Sequence, residues 1–269
     1  MNILQTIASH TKERIEARKK ILPPEKLEEK VYSDMVYPAK GNNFPFEKAL
    51  QSDDIAFICE IKKASPSKGI IAENFDYLEI AKDYESAGAA AISVLTEPHW
   101  FKGDDRYLQE IADIVKIPLL RKDFVVDSYM IYEAKLLGAS AVLLICSILE
   151  KDTLAEYIAV SHKLGLSALV EVHSGNEVEM ALSVGARIIG VNNRNLKTFE
   201  VDITLSERLK KLVPPDIIFV SESGIGSPGD IIKLREIKAD AVLIGENFMK
   251  SSDKKAEINL MRGYEFDKN

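Results

Sequence analysis

The chain is built from short apolar runs that recur along most of its length. Eight runs are rich in β-branched and aliphatic residues, and most are apolar throughout rather than alternating. A continuous apolar run of this length predicts a strand that is buried on both faces, as in a parallel sheet. The runs lie at residues 55–61, 90–95, 117–121, 140–146, 167–172, 187–192, 216–221 and 240–245.

The segments between the runs have the periodicity of helices. In "YLEIAKDYESAG" the side chains of Leu78, Ala81 and Tyr84 fall near one face, and a glycine ends the segment. A Gly-Ala pair before a strand recurs in "AGAAAISVL", "LGASAVLLI" and "VGARIIGV", which is typical of a loop joining a helix to the next strand. Alternating strands and helices predict an α/β protein with a parallel sheet covered by helices.

Eight such repeats in 269 residues favour a closed (β/α)8 barrel, the TIM-barrel fold. An open doubly wound sheet is the alternative, but no G-x-G-x-x-G follows the first run, which weakens its dinucleotide-binding form. We expect residues 1–269 to form one barrel domain, with residues 1–54 as an N-terminal helical extension packed across one end. The inner face of its first helix is expected at Ile3, Ile7, Thr11 and Ile15.

The composition argues against a nucleic-acid or membrane partner. The net charge is −7, and the basic residues are spread along the chain rather than gathered into a patch. No apolar run approaches the roughly 18 residues of a membrane span, and the stretch "TKERIEARKK" is charged, unlike a signal segment. We expect a cytoplasmic protein, and a monomer because the chain shows no fused second domain and no apolar tail.

Cysteine and histidine give no sign of a metal site. Cys59 and Cys146 both lie within apolar runs, so we expect buried free thiols. The four histidines are scattered, and neither they nor the cysteines have the spacing of metal ligands.

Polar residues collect where the runs end. In a (β/α)8 barrel the active site lies at the carboxyl ends of the strands, so these residues should meet at one mouth. Cations and carboxylates that converge there neutralise each other, and together they can bind an anion and move protons. The strand ends of interest are Glu60, Lys62, Lys122, Glu171, Asn192, Arg194, Ser223, Gly224 and Gly245.

The period-two alternation of a strand sorts the charges of "EIKK". Glu60 and Lys62 share one face, which we expect to point into the barrel, and Lys63 lies on the other. Lys62 should therefore matter for function, and Lys63 should not.

Three other strand ends carry candidate chemistry. Glu171 lies between two valines, where a carboxylate without a function is rare. Lys122 follows an apolar run, with a structural ion pair as the alternative interpretation. Asn192 and Arg194 share a face, and capping of their own loop is the alternative for them.

Glycines at two strand ends predict an anion site. Ser223 and Gly224 follow the seventh run and Gly245 follows the eighth, where many such barrels hold a phosphate with backbone N–H groups. Glycine lets the backbone approach the anion closely. Ser65 and Lys68, after the first run, are in the right loop to close over the same anion.

The ordered motifs of the chain resemble those of the indole-3-glycerol phosphate synthase family over nearly its whole length. They are "ILQTIASHTKERI", "EIKKASPSKG", "ISVLTEPHWFKG", "PLLRKDF", "LVEVHS", "IIGVNNRNL", "SESGI" and "LIGENFMK". The resemblance implies a barrel enzyme that closes the indole ring of 1-(o-carboxyphenylamino)-1-deoxyribulose 5-phosphate, with loss of carbon dioxide and water. It also implies a phosphorylated small molecule as the partner, and no metal or organic cofactor.

The resemblance implies a role for each candidate residue. Lys122 is similar to the general acid that protonates the ribulose carbonyl, and Glu171 to the acid–base group of the dehydration. Lys62 resembles the cation that holds the anthranilate carboxylate, Glu60 resembles its partner and a catalytic contributor, and Asn192 orients the substrate hydroxyls. The residues implied to bind substrate are Ser65, Phe101, Arg194, Ser223, Gly224, Gly245 and Glu246.

The chemistry of this reaction sets finer expectations. Carbonyl protonation needs an ammonium whose pKa is shifted toward neutrality. Partial burial and a nearby lysine would lower the pKa of Lys122, whereas neighbouring carboxylates would raise it. Glu246 stands where many relatives carry a small hydroxyl residue, so we expect its backbone N–H to face the phosphate and its carboxylate to turn away. The aryl ring is expected among Phe101, Leu143 and Ile244.

Two other functions are weighed against this one. Another phosphate-binding barrel isomerase of amino-acid biosynthesis would use a carboxylate or cysteine acid–base pair and would not need both Lys62 and Lys122. A non-catalytic barrel would have lost at least one ionisable strand end, and none is missing here.

Overall fold

The computed structural model describes residues 3–34, 43–196, 198–251 and 253–263. Its strands are β1 Ala56–Ile61, β2 Ala64–Ser65, β3 Gly69–Ile70, β4 Ala91–Leu95, β5 Leu119–Lys122, β6 Ala141–Ile145, β7 Ser167–Val172, β8 Ile188–Asn192, β9 Ile218–Glu222 and β10 Ala241–Ile244. Its α-helices are α1 Ile3–Ile21, α2 Pro24–Asp34, α3 Pro45–Leu50, α4 Tyr77–Ser86, α5 Asp105–Ala112, α6 Tyr129–Leu136, α7 Lys151–Lys163, α8 Gly175–Ser183, α9 Thr204–Lys210, α10 Pro228–Glu236, α11 Glu246–Lys250 and α12 Lys254–Arg262.

The strands form the predicted (β/α)8 barrel. All the barrel pairs are parallel, in the order β1-β10-β9-β8-β7-β6-β5-β4, and β4 pairs with β1 to close the ring. The short strands β2 and β3 are antiparallel and form a hairpin in the loop after β1. Each predicted run overlaps one barrel strand, so the fold class is confirmed.

The strand bounds differ from the predicted runs by one or two residues at most ends. The third run was predicted from residue 117, but β5 begins at Leu119, because Pro118 has no N–H to donate to a ladder. The seventh run was predicted to end at residue 221, but β9 continues to Glu222. This last difference matters, because it brings the Glu222 side chain into the barrel wall.

Alternation along the strands divides the apolar residues into two cores. On β1, Ala56 and Ile58 face the barrel interior, whereas Phe57, Cys59 and Ile61 pack against the surrounding helices. The same parity holds on the other strands and defines which strand-end side chains point inward. Both cysteines are buried free thiols, as predicted, and burial raises the pKa of Cys146 to about 12.

The N-terminal helices contact the barrel in two places. The buried face of α1 consists of Leu4, Ile7, Thr11 and Ile15, so Leu4 takes the place predicted for Ile3, which is half-buried. Helix α3 reaches the amino ends of the strands, where the Glu47 carboxylate accepts hydrogen bonds from Ser167 and Arg187. Residues 35–42 of the predicted extension lie outside the described residues.

A buried ion-pair network fixes β5 against α1, α5 and α6. The Arg121 guanidinium is fully buried and pairs with Asp105 at 2.8 Å and with Glu133 at 3.4 Å. Asp123, also fully buried, accepts two hydrogen bonds from Arg14 of α1, at 2.9 and 3.0 Å. Arg121 and Asp123 flank Lys122, so the network fixes the backbone from which the Lys122 side chain projects.

Replacing the central cation should be strongly destabilising. We expect Arg121→Met to lower the free energy of unfolding by about 3–5 kcal/mol, because it removes the buried cation that three carboxylates share, and Arg14 and Arg18 then compensate their charge only in part. Urea denaturation measures this. The matched control is Arg208→Met, since Arg208 pairs with Asp202 on the surface, where ion pairs contribute little. Equal losses for the two variants would contradict a structural role for the buried network.

Candidate active site

A cavity of about 320 Å³ opens at the carboxyl ends of the barrel strands. Its wall is made of inward-facing strand ends, of the loops that follow them and of the start of α1. All the predicted site residues line it, namely Glu60, Lys62, Ser65, Phe101, Lys122, Glu171, Asn192, Arg194, Ser223, Gly224, Gly245 and Glu246. The residues singled out from the sequence and from the resemblance thus lie around one cavity, and their roles in it stay predictions.

The charges of "EIKK" separate as the alternation predicts. Glu60 and Lys62 line the cavity and form an ion pair with each other. Lys63 points elsewhere, and its ammonium lies 5.8 Å from the centre of the Phe75 ring. Glu60 is buried beneath Lys62, and although burial alone would raise its pKa, the Lys62 and Lys122 charges outweigh that and lower it. Glu60 is thus held as a carboxylate.

Lys122 lies between two further carboxylates. Its ammonium is 3.6 Å from Glu171 Oε2 and 3.5 Å from Glu222 Oε2. Burial is the largest single influence and lowers the pKa of Lys122, but the charges of Glu222, Glu171 and Glu60 together outweigh it, and the pKa is raised. The expected shift of the Lys122 pKa toward neutrality is therefore wrong. The carboxylates of Glu60, Glu171 and Glu222 thus keep Lys122 protonated, and its raised pKa makes it a weak acid.

Glu222 is a member of the site that the sequence interpretation did not assign. Its Oε1 is buried and, among the described residues, has no hydrogen-bond partner. Burial raises the pKa of Glu222 to about 7; Lys122 and His173 act against this rise, whereas Glu171 adds to it. The signal was present in the sequence, since Ile218, Val220 and Glu222 alternate just as residues 56–60 of β1 do.

Two glycines make room for the buried carboxylates. A Cβ atom added at Gly190 of β8 would overlap Glu222 Oε1, and one added at Gly245 would overlap Glu60 Oε2. Gly245 was predicted only as part of an anion site, so its packing against Glu60 is an additional role. The absence of a side chain at both positions lets ionised groups lie directly against the barrel wall.

The Asn192 amide has the capping contact that was its alternative interpretation. Its Oδ1 accepts a hydrogen bond from the Arg194 N–H at 3.1 Å, and the Arg194 guanidinium donates to the Phe199 carbonyl. Both side chains also line the cavity. Asn192 therefore caps its own loop and also lines the cavity. The capping contact fixes the backbone of Arg194, which follows β8.

One wall of the cavity is apolar. Phe101 packs at 6.0 Å from the Phe124 ring, and its loop is fixed because the Glu97 carboxylate accepts N–H groups of residues 99–101. Leu143 faces the barrel interior and lines the cavity, whereas Ile244 lines it but packs in the core between strands and helices. Their contact with an aryl ring stays a prediction. The wall also includes residues that the sequence interpretation did not assign to the site: Ile3, Leu4, Ile7, Leu95, Phe124, Ile145, Leu196 and Leu243.

The loops after β9 and β10 form another part of the cavity wall. Ser223 and Gly224 both adopt positive φ, at 67° and 78°, and the Asn193 amide donates to the Ser223 carbonyl at 3.0 Å. The Glu246 carboxylate pairs with Lys250 at 2.6 Å and lies 3.9 Å from Lys68. The Lys250 hydrogen bond lowers the pKa of Glu246. The carboxylate is thus directed to two lysines, and because Glu246 also lines the cavity, its turning away from an anion stays a prediction.

The family model for indole-3-glycerol phosphate synthase matches residues 4–261, which is most of the chain. The chain belongs to the indole-3-glycerol phosphate synthase family. An indole-3-glycerol phosphate synthase of Ruminiclostridium cellulolyticum is 58% identical over 261 residues, covering 97% of this chain and 99% of that protein. One of Endomicrobium trichonymphae is 54% identical over 251 residues, covering 93% and 96%.

Solved structures outside the indole-3-glycerol phosphate synthase family share the barrel alone. A 3-hexulose-6-phosphate synthase of Salmonella typhimurium superposes with a TM-score of 0.65 at 12% identity, over 78% of this chain and 98% of that one. A mutant tryptophan synthase α-subunit of Pyrococcus furiosus gives 0.61 at 12% identity, also over 78% and 98%. Identities this low support the fold and carry no functional argument.

Two kinds of feature are missing from the described ranges. No helix there is long and apolar enough to cross a membrane. No three His, Cys, Asp or Glu side chains in those ranges are grouped as the ligands of a metal ion would be.

The raised pKa of Glu222 predicts a pH dependence of stability. Between its ordinary value of 4.5 and about 7, the folded protein binds more protons at Glu222 than the unfolded chain does. The stability contributed by Glu222 is thus fully present below pH 4.5 and is lost as pH rises through about 7. In urea denaturation at several pH values, wild type should lose stability over this interval relative to Glu222→Gln. Glu207→Gln on the surface of α9 should follow wild type, and parallel curves for wild type and Glu222→Gln would contradict the pKa.

Proposed function

We propose that this member of the indole-3-glycerol phosphate synthase family closes the indole ring of 1-(o-carboxyphenylamino)-1-deoxyribulose 5-phosphate. The observation that carries the proposal is the Lys122 ammonium, held 3.6 and 3.5 Å from the carboxylates of Glu171 and Glu222 inside the mouth cavity. One acid and two carboxyl groups within contact distance suit a reaction with several proton transfers. The cavity is also large enough for a small phosphorylated aryl compound.

The two ends of the substrate suit the two walls of the cavity. We assign the phosphate to the backbone N–H groups near Ser223, Gly224, Gly245 and Glu246, with Ser65 above them, and the aryl ring to the apolar wall beside Phe101. Lys62 and Arg194 would then hold the benzoate carboxylate. Binding an anion at each end fixes the carbonyl between them, next to Lys122, and this positioning accounts for part of the rate enhancement.

The first step is carbon–carbon bond formation. The ring carbon that bears the carboxylate attacks the ribulose carbonyl carbon, and Lys122 gives its proton to the carbonyl oxygen, which becomes a hydroxyl. Loss of carbon dioxide returns the bonding electrons to the ring and restores its aromaticity. Because its pKa is raised, Lys122 is loaded with a proton at neutral pH, and its contribution comes from position rather than from acid strength.

The second step is dehydration. The new hydroxyl leaves as water after receiving a proton, and a neighbouring carbon loses a proton to form the second ring double bond. We assign the acid–base work to Glu171, with Glu222 as a second carboxyl group that is partly protonated near neutral pH. Two buried carboxyl groups with different proton occupancy are suited to donate and accept in turn. Asn192 would orient the hydroxyl groups.

The observed site argues against the two rival functions. An isomerase of the same fold has no need of two inward lysines, and both Lys62 and Lys122 line the cavity. A non-catalytic barrel has no reason to keep buried carboxylates in unfavourable surroundings, because such groups destabilise the fold. We further propose that the chain acts as a monomer and that it works in the cytoplasm. Size-exclusion chromatography with light scattering would test whether it is a monomer.

Turnover of the substrate is the direct test of the proposal. Purified protein should convert the deoxyribulose phosphate to an indole product, followed by the rise in indole fluorescence. Lys122→Ala and Glu171→Gln should each lower kcat by about 100-fold or more, the usual contribution of an acid–base group. Lys211→Ala, on the surface of the barrel, should keep wild-type rates. Absence of product with wild type, or undiminished rates in Lys122→Ala, would rule the proposal out.

The neighbouring lysines of β1 provide a matched pair. Lys62→Ala should reduce kcat/KM by at least about 100-fold, since a cation that faces the substrate carboxylate is lost. Lys63→Ala should stay within about twofold of wild type, because its side chain points to Phe75. Steady-state kinetics on both variants checks this, and similar losses in the two would contradict the assignment of faces.

A further inference from the structure

His173 lies against the candidate acid–base group without lining the cavity. It follows β7 directly, two residues after Glu171, and its Nε2 is 3.5 Å from Glu171 Oε1. Its Nδ1 is 3.5 Å from Glu177 Oε2 on α8. Both ring nitrogens are buried and, within the described part of the chain, form no hydrogen bond. A buried imidazole between two carboxylates calls for an explanation beyond packing.

Glu171 is held from two sides by different cations. Lys122 approaches one carboxylate oxygen, Oε2, at 3.6 Å, and His173 approaches the other, Oε1, at 3.5 Å. Lys122 belongs to β5, and His173 belongs to the loop after β7. A carboxylate whose two oxygens face fixed groups on separate elements has little freedom to rotate away from the cavity.

Glu177 fixes the histidine in turn. Its Oε2 accepts the His173 backbone N–H at 2.6 Å and lies 3.5 Å from the ring. Ser174 caps α8 by accepting the Glu177 N–H, which sets the helix that carries Glu177. The ring is therefore anchored to α8 and does not depend on the cavity for its position.

We propose that His173 is a positioning residue, which holds the Glu171 carboxylate toward the reacting atoms from the side opposite Lys122 while Glu177 fixes the imidazole. The inference rests on the proposed function, because it assumes that Glu171 performs the acid–base step. It adds a third group to that step, one that does not touch the substrate.

The charges around the ring favour the imidazolium form. Burial acts most strongly and lowers the pKa of His173, but the surrounding carboxylates outweigh it, so the pKa is raised above 6.5. The His173 cation in turn lowers the pKa of Glu222. The titratable and charged groups that face or adjoin this cluster are Glu171, Glu177, Glu222, Lys122, Glu60, Lys62, Arg194 and Cys146.

The test is a pH profile of the single-turnover rate in His173→Gln and His173→Leu. We expect His173→Leu to lower the rate about tenfold, part of the 10²–10⁴ that an acid–base group contributes, and His173→Gln to lower it less because it keeps an N–H donor. We assign the limb of the rate profile near pH 7 to the titration of Glu222. In both variants this limb should move to higher pH, since the cation that lowers the Glu222 pKa is gone. KM should change by less than about twofold, because His173 does not contact the substrate.

The controls separate positioning from folding. His162→Gln alters a half-buried histidine on α7, outside the cavity, and should keep both the wild-type rate and the wild-type limb. Glu177→Gln should shift the limb in the same direction as the His173 variants but less far, because it removes a carboxylate that favours the imidazolium form of His173. If His173→Leu fails to fold, His173→Gln still decides the outcome.

The outcomes distinguish this inference from the proposed function. No turnover by wild type overturns the proposed function. Wild-type turnover with an unchanged rate and an unchanged limb in His173→Gln overturns the positioning role alone. A rise in KM at constant kcat would also overturn it, since His173 would then act on binding. A lowered rate with a shifted limb and constant KM supports it.

Discussion

The buried ammonium of Lys122 is the interaction on which the site depends. Glu60, Glu171 and Glu222 all point into one barrel mouth, and without a cation between them their mutual repulsion would expel or protonate them. Lys122 is close enough to Glu171 and Glu222 to offset that repulsion, and Lys62 does the same for Glu60. One positive charge thus stabilises the fold of the mouth and supplies the proton that the proposed reaction consumes.

The position of that charge is determined from outside the barrel. Arg121 and Asp123 flank Lys122 on β5, and their side chains point to the helices, where Arg14 of α1 binds the Asp123 carboxylate. This arrangement follows from the period-two alternation of a strand, in which consecutive side chains point alternately into the barrel and toward the helices. The N-terminal helix is therefore connected to the chemistry through a single backbone segment, and it also contributes Ile7 to the cavity.

The fold and most of the site were accessible from the sequence, because barrel periodicity and strand-end chemistry are local signals. Eight apolar runs and their polar ends sufficed to bring Glu60 and Lys62 into the cavity and to leave Lys63 outside. What the sequence could not supply was the sum of electrostatic effects. The pKa of Lys122 depends on the carboxylates of Glu60, Glu171 and Glu222, which come from three strands, and no local pattern predicts how close they lie to the ammonium. Contributions from α1 were missed because they depend on how the extension packs.

The glycines beneath the carboxylates limit how this barrel could be adapted to other substrates. At Gly190 and Gly245 any side chain would overlap the carboxylate of Glu222 or Glu60, so a substitution at either position would displace a charge of the site. The apolar wall has no such restriction, since Leu143 contributes volume and no charge. A redesign toward a larger aryl group would therefore begin there. The charged residues of the mouth depend on one another and would have to be kept together, whereas the apolar residues can be substituted one at a time.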